Sequence, residues 1–406
     1  MKILSVVGAR PNFVKIAAVL TETRKLPWIQ TTLVHTGQHY DPEMSGWFFR
    51  DLGIPRPDVN LQEFVNAGPV PAGATLSGMR ITEMARRLEP VLKRERPDVV
   101  LVVGDVDSTV AGALAAVRLG IRVAHLEAGL RSFDLNMPEE INRIATDAIS
   151  DLLFASEPSG VRNLLNEGKG EGQTFLAGNV MIDTLKRFIS LAGRSAILEE
   201  LGLRKSHGDV RVERYAVVTL HRAATVDSPE ALPALWETLS DVAAEIPMIF
   251  PIHPRTAQRL KEARLKAVSV RHPDGKNNSI RLIPPLSYVD FLWLENNAEM
   301  VITDSGGIQE ETTALGVPCL TVRNNTERPI TVTEGTNTIV GLDPHRIRQE
   351  ARRVLSGHGK QGRIPELWDG HAAKRIIKIL VEHFQPCKRA PAPAARFTPN
   401  QDILSA

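Results

Sequence analysis

Cysteine is nearly absent from this chain: Cys319 and Cys387 are the only two among 406 residues. They form no ligand-spaced metal cluster, and Cys319 lies in the apolar run 317–322, where a buried free thiol is expected. That usage fits a reducing cytoplasm. Neither sign of charge predominates, with 49 Lys and Arg against 47 Asp and Glu. No strong global field therefore draws in nucleic acid or an anionic membrane, and any phosphate recognition must be local. No apolar run reaches membrane-spanning length, and no repeat of solenoid period is present. The opening stretch Met1 to Gly8 is too short for a signal-peptide core and is closed by Arg10-Pro11, so it reads as a first strand.

A chain of this length exceeds what one hydrophobic core usually holds, which predicts two domains. Short β-branched runs at 2–7, 31–36, 99–103, 123–126 and 152–155 alternate with helical patterns, such as 108–119 with Gly120 as its stop. The alternation restarts with runs at 215–220, 248–252, 280–283 and 300–303. Both halves therefore read as α/β, each a doubly wound, mostly parallel sheet. The expected boundaries are 1–178, 179–368 and a disordered tail at 386–406, whose Pro- and Ala-rich composition cannot build a core.

The most informative segment is Ser305-Gly306-Gly307-Ile308-Gln309-Glu310-Glu311, directly after the strand-like run 300–304. Two glycines at a helix start let an anion approach free backbone N–H groups at the positive end of the helix dipole. Ser305 adds a hydroxyl donor, and Glu311 is placed to accept from the vicinal hydroxyls of a ribose. A nucleotide diphosphate fits this pattern. An N-capped helix with a glycine-lightened first turn fits it equally.

Polar residues gather where the strands end: Arg10, Lys15, His39, Asp105, Asp107 and Glu127 in the first half, and His221, His253 and Asp304 in the second. Ligands of open α/β sheets bind beyond the carboxyl ends of the strands. Each residue also has an innocent explanation. Arg10-Pro11 suits a turn, Lys15 a solvated helix face, Asp105 a turn or N-cap, and Glu139 after Pro138 a helix first turn. Asp105-Val106-Asp107 also has the spacing of a metal-binding pair, though that spacing is common. No single innocent reading covers all of them at once.

These residues fall in ordered motifs: Gly8-Ala9-Arg10-Pro11-Asn12-Phe13-Val14-Lys15, Thr36-Gly37-Gln38-His39, Val103-Gly104-Asp105, His125-Leu126-Glu127-Ala128-Gly129-Leu130-Arg131, Pro138-Glu139-Glu140-Ile141-Asn142-Arg143, Thr219-Leu220-His221-Arg222, Thr303 through Glu311, and Thr326-Glu327-Arg328-Pro329. Together they resemble the non-hydrolysing UDP-N-acetylglucosamine 2-epimerases. The resemblance implies two Rossmann-like domains facing a central cleft, the glycosyltransferase B architecture, with the C-terminal helix 369–385 packing back on the first domain. It further implies a UDP-sugar substrate, a cytoplasmic homodimer, and no metal, cofactor, nucleic acid or membrane partner.

Carried over by position, substrate contacts fall on Arg10, Lys15, His39, Phe291, Ser305, Gly306, Gly307, Glu311 and Arg328, and catalytic roles on Asp105, Glu127, Glu139 and His221. The implied route is anti elimination of UDP to 2-acetamidoglucal, followed by re-addition to give UDP-N-acetylmannosamine. This chain departs from the family pattern at Ala223-Ala224-Thr225, at Leu286 beside the uracil position, and in lacking an Arg-Gln activator pair near 62–70. The alternatives are a hydrolysing 2-epimerase or retaining glycosyltransferase of the same architecture, or an inactive UDP-sugar sensor. Retention of all three carboxylates argues against the sensor.

Overall fold

Strands built from Val, Ile and Leu alternate with helices along the whole chain, and they assemble into two seven-stranded sheets. The structure, a computed structural model, describes residues 1–38, 51–61, 75–205, 212–265, 269–271 and 277–384. The first sheet contains β1 (Lys2–Val7), β2 (Gln30–His35), β3 (Val59–Asn60), β4 (Val99–Val103), β5 (Arg122–Leu126), β6 (Leu152–Ala155) and β7 (Thr174–Leu176). Its order is β3-β2-β1-β4-β5-β6-β7, all parallel. The second contains β8 (Ala216–Thr219), β9 (Met248–Pro251), β10 (Ser269–Arg271), β11 (Asn277–Ile283), β12 (Met300–Thr303), β13 (Cys319–Thr321) and β14 (Asn337–Ile339). There the order is β10-β11-β9-β8-β12-β13-β14, with only the edge strand β10 antiparallel.

Continuous apolar strands are what a sheet covered on both faces requires. Alternate residues of β1 enter different cores: Ile3 and Val7 pack with Phe13, Ile16, Leu185 and Ile376, whereas Leu4 and Val6 pack with Met84, Leu88 and Ala111. The second sheet repeats the arrangement, with Ala216 and Val218 on one side and Val217 on the other. Each such aliphatic side chain contributes about 1.5–3 kcal/mol on burial.

In both sheets the winding reverses next to the first strand of the half, between β1 and β4 and between β8 and β12. A crevice opens at the carboxyl ends of strands at such a reversal. The chain therefore delivers Arg10, Lys15 and Asp105 to one switch point, and His221, Asp304 and Ser305 to the other.

Four expected strands (2–7, 99–103, 152–155 and 300–303) match residue for residue, while five short ones (β3, β7, β10, β13 and β14) carry no period-2 signal in two or three residues. The expected strand at 31–36 runs from Gln30 to His35; the Thr36 N–H still donates to the Val7 carbonyl at 2.8 Å, and its hydroxyl lies 2.7 Å from that of Ser108. The last helix, Ala372–Phe384, packs on helix Arg10–Thr23 through Ile376, Ile377 and Leu380. Trp368 donates to the Ser156 carbonyl at 3.1 Å, and Arg375 to that of Ala177 at 2.7 Å, fastening this segment to the first sheet. Among the described residues no helix is long and apolar enough to cross a membrane. The expected tail at 386–406 lies outside the described residues.

Candidate active site

The carboxyl ends of β4 and β5 approach each other because Gly104 has no side chain. Gly104 has a φ of +69°, and a Cβ there would lie 3.3 Å from Lys15 Nζ and 3.4 Å from Glu127 Oε2. Those two groups form a buried ion pair directly over it. Glu127 itself has a φ of +68°, in the left-handed region that non-glycine residues avoid at a cost of about 1–3 kcal/mol. Its backbone N–H and that of Ala128 both donate to the Phe154 carbonyl, which holds the turn. Beneath it the fully buried His125 bridges the Gly104 carbonyl at 2.8 Å and Asp147 at 2.7 Å. Asp147 also receives Arg131 at 2.7 Å, so two strand ends are cross-tied before any substrate arrives.

Asp105 is paired with Arg143 at 2.8 Å. Burial alone would raise its pKa, but Arg143, Lys15 and Arg328 outweigh burial and hold the carboxyl below its usual range. Arg143 comes from helix Pro138–Ile149, whose first turn also carries Glu139 and Glu140. Glu140 faces inward, receives Arg143, and accepts from the Ser132 and Phe133 N–H groups.

Across the cleft, β12 runs through Asp304 and Ser305 into helix Gly306–Leu315. Ser305 makes no side-chain cap, and its N–H donates to Thr303 Oγ1 at 2.9 Å. A Cβ on Gly306 would lie 2.4 Å from an Arg328 guanidinium nitrogen and 2.5 Å from Glu327 Oε1, so any other residue would push these groups from the helix start. Glu311, one turn into the helix, is buried and accepts from the Tyr288 hydroxyl at 2.9 Å. Phe291 packs at the edge of the cluster formed by Tyr215, Ile283 and Leu294. His221 is half exposed, and its Nδ1 lies 3.0 Å from Asp304. Asp304 also accepts the N–H groups of His221 and Arg222; the His221 ring first, and these backbone bonds after it, outweigh its burial and hold its carboxyl below the usual range.

Arg328 joins the two halves. Its guanidinium meets Glu127 of the first half, and Glu310 at 3.0 Å and Glu327 of the second. Glu327, fully buried, also lies 2.8 Å from Arg323, 3.5 Å from Arg222 and 3.8 Å from Arg143. Burial opposes its charge, yet the four arginines hold its pKa well below the carboxylate range. Arg222 in turn reaches Glu139 at 3.3 Å. Glu310 goes the other way: burial pushes it up to about 8 despite Arg328. The network thus brings together five basic side chains (Lys15, Arg143, Arg222, Arg323, Arg328) and five acidic ones (Asp105, Glu127, Glu139, Glu140, Glu327).

Of the residues expected from the sequence, Lys15, Asp105, Glu127, Glu139, Gly306 and Arg328 meet in this network, while Ser305, Gly307, Glu311 and His221 line the second half's strand and helix ends beside it. Phe291 sits one helix away, Arg10 opens the helix that carries Lys15, and His39 lies outside the described residues. Sequence reasoning passed over Glu327, Arg143, Arg222 and Arg323, although the first three sit inside the recognised motifs. A buried-charge pattern of Arg-x-x-x-Glu-Arg at 323–328 was the available signal. Among the described residues no group of three or more His, Cys, Asp or Glu side chains could hold a metal ion.

Two doubly wound sheets with a charged seam at their facing carboxyl ends define the glycosyltransferase B class of architecture. A sequence model of the UDP-N-acetylglucosamine 2-epimerase family matches residues 21–381, and the chain belongs to that family. It is 42% identical to a UDP-N-acetylglucosamine 2-epimerase homolog of Methanococcus maripaludis, covering 94% of this chain and 99% of that one. It is 37% identical to a UDP-2,3-diacetamido-2,3-dideoxy-D-glucuronate 2-epimerase of Pseudomonas aeruginosa, covering 94% and 100%. The crystal structure of Methanocaldococcus jannaschii UDP-GlcNAc 2-epimerase in complex with UDP-GlcNAc and UDP superimposes with a TM-score of 0.80. That relative is 38% identical, and the match covers 94% of this chain and 100% of that one.

Proposed function

We propose that this protein interconverts UDP-N-acetylglucosamine and UDP-N-acetylmannosamine by eliminating and re-adding UDP, without hydrolysis. The observation that carries the reading is the chain Lys15–Glu127–Arg328, which joins a carboxylate at one sheet's strand ends to the arginine over the other sheet's helix N-terminus. C2 of the sugar bears a proton that no carbonyl acidifies, so its removal must be coupled to departure of a leaving group. In the forward half-reaction a carboxylate takes the C2 proton, the C1–O bond breaks with its electron pair going to the β-phosphate oxygen, and C1 and C2 become doubly bonded. Re-addition returns UDP oxygen to C1 and places a proton on the opposite face of C2.

Charge builds on the diphosphate as the bond breaks. Arg328 and the Gly306-Gly307 helix start are suited to stabilise it, while Asp105, Glu127 and Glu139 supply acid and base. Ionisation of Asp105, supported by Arg143 and Lys15, suits it to accept a proton. His221, oriented through Nδ1 by Asp304, leaves Nε2 for the substrate. The domain division at 178/179 and a cytoplasmic location belong to the same reading. So does a homodimer, which the exposed apolar pairs Leu114/Val117 and Ile141/Ile144 on two packed helices support.

The test is turnover of UDP-N-acetylglucosamine in D2O. Both epimers should carry deuterium at C2 by NMR. Free N-acetylmannosamine with UDP would instead establish a hydrolysing enzyme, and epimer without label would rule out exchange through a solvent-accessible base.

A further inference from the structure

Helix Tyr288–Asn296 turns two polar side chains toward helix Gly306–Leu315. Tyr288 and Glu295 are seven residues apart and so share one helix face. The Tyr288 hydroxyl donates to Glu311 Oε1 at 2.9 Å. Glu295 is fully buried, and neither of its carboxyl oxygens has a hydrogen-bond partner. Two carboxylates are acceptors only and make no hydrogen bond to each other, whereas a single proton turns one of them into a donor. An unpaired carboxylate in such a place would cost several kcal/mol, so the group is neutral.

Burial first, then the charge of Glu311, push the Glu295 carboxyl well above its usual range. Burial raises Glu311 to about 7, against the pull of the Tyr288 hydrogen bond. Cys319, on β13, is pushed up to about 12, by burial first and by Glu295 to a lesser degree, and stays a thiol. Charged groups on the other packed elements turn elsewhere. Asp183 accepts the N–H groups of Ala372 and Ala373, Arg187 lies over Phe188, Glu199 pairs with Arg204, and Glu310 turns to Arg328 and Asn179.

We propose that Glu295 is a positioning residue for nucleotide binding: as a neutral carboxylic acid it donates a hydrogen bond to Glu311 and, with Tyr288, holds that carboxylate ionised and aimed at the ribose hydroxyls of the UDP-sugar. The proposal rests on the reading of Glu311 as the ribose contact. Glu295 lies outside every motif that marked the site.

Calorimetric titration of UDP into the full-length protein between pH 5.5 and 9 tests it. Wild-type affinity should fall as the pH drops through the Glu311 titration near 7. Glu295→Gln keeps a donor and should stay within about twofold of wild type. Glu295→Leu keeps volume but deletes the donor, and should weaken UDP about tenfold or more at pH 7, as expected for losing a hydrogen bond to a charged group. It should also move the pH midpoint upward and lose most of its effect on 2′,3′-dideoxy-UDP. Thermal unfolding checks that the Leu variant is folded. Wild-type affinity and midpoint in Glu295→Leu would make the residue mere filling and overturn the proposal. A downward midpoint shift in both variants would overturn it too, since Glu295 would then be a repelling charge. Glu311→Gln separates the two readings: if it leaves UDP binding unchanged, the ribose assignment itself fails, whereas a weakened Glu311→Gln with a silent Glu295→Leu removes only the positioning role.

Discussion

Replacing Glu327 by Gln keeps the shape of the side chain and deletes the one charge that four arginines share. Two of those partners, Arg222 and Arg143, lie at 3.5 and 3.8 Å, where a unit pair is worth about 4 kcal/mol gross at an effective dielectric near 20. Desolvation of the carboxylate offsets most of that sum, so the net cost follows the rule for breaking a buried ion network, about 3–5 kcal/mol. The pH dependence gives the sharper signature. The arginines outweigh burial and depress the folded pKa well below the unfolded value of 4.5, so Glu327 contributes stability that is present above that value and lost as pH falls. Urea unfolding of wild type and Glu327→Gln from pH 3 to 8 should show a full gap at pH 7 that narrows below about pH 4.5. A gap under about 1 kcal/mol at pH 7, or one of constant size down to pH 3, would refute the claim that this carboxylate centres the network.

Arg328→Ala should weaken UDP by about 1.5–3 kcal/mol in calorimetry, the range for hydrogen bonds to a charged group. UDP should also raise the melting temperature of the wild type more than GDP at equal concentration. Asp105→Asn, Glu127→Gln and Glu139→Gln should each lower turnover by about 10² to 10⁴ while still binding UDP; wild-type rates in all three would remove these carboxylates from the chemistry. Glu157 is pushed up to about 7 by burial, which Ser159 and Arg328 only partly offset. Its folded pKa is raised, so its contribution is present below 4.5 and lost as pH rises through 7. Urea titrations should therefore show Glu157→Gln gaining on wild type between pH 5 and 8, by up to about 3 kcal/mol. UDP-N-acetylmannosamine should be consumed with hyperbolic kinetics and without a lag, because the Arg-Gln activator pair is missing from 62–70; a lag abolished by trace UDP-N-acetylglucosamine would contradict this.

The sheets were legible because a strand buried on both faces must be a continuous apolar run, as at 99–103 and 300–303, and helices between such runs leave few topologies. Edge strands were not, since Asn337–Ile339 gains its order from pairing with β13 and not from its own pattern. At the site, Asp105 and Glu127 stood out because they follow apolar strands. Glu327, Arg143 and Arg323 did not, since their meaning lies in who faces whom across the two halves, and no local period encodes that. Glu295 was invisible for a different reason. A lone glutamate in a helix reads as solvated, and only its burial beside Glu311 shows otherwise.

The sharing of Arg328 bears on how substrate binding and chemistry are linked. Its guanidinium is engaged by Glu127, Glu310 and Glu327, so on the proposed reading a diphosphate must take the place of one of them. Glu327 is held by three further arginines and Glu310 by Asn179 at 2.9 Å. Glu127 is the one partner contributed by the opposite half, and it retains Lys15 when Arg328 lets go. Between Glu127 and Glu327 it is therefore the group that yields more cheaply. On that reading a displaced Glu127 is left beside the sugar end of the same ligand, still paired with Lys15. On the proposed reading, binding of the leaving group and release of a first-half carboxylate would then be the same event, which an anion site and carboxylates drawn from different halves of the chain make possible.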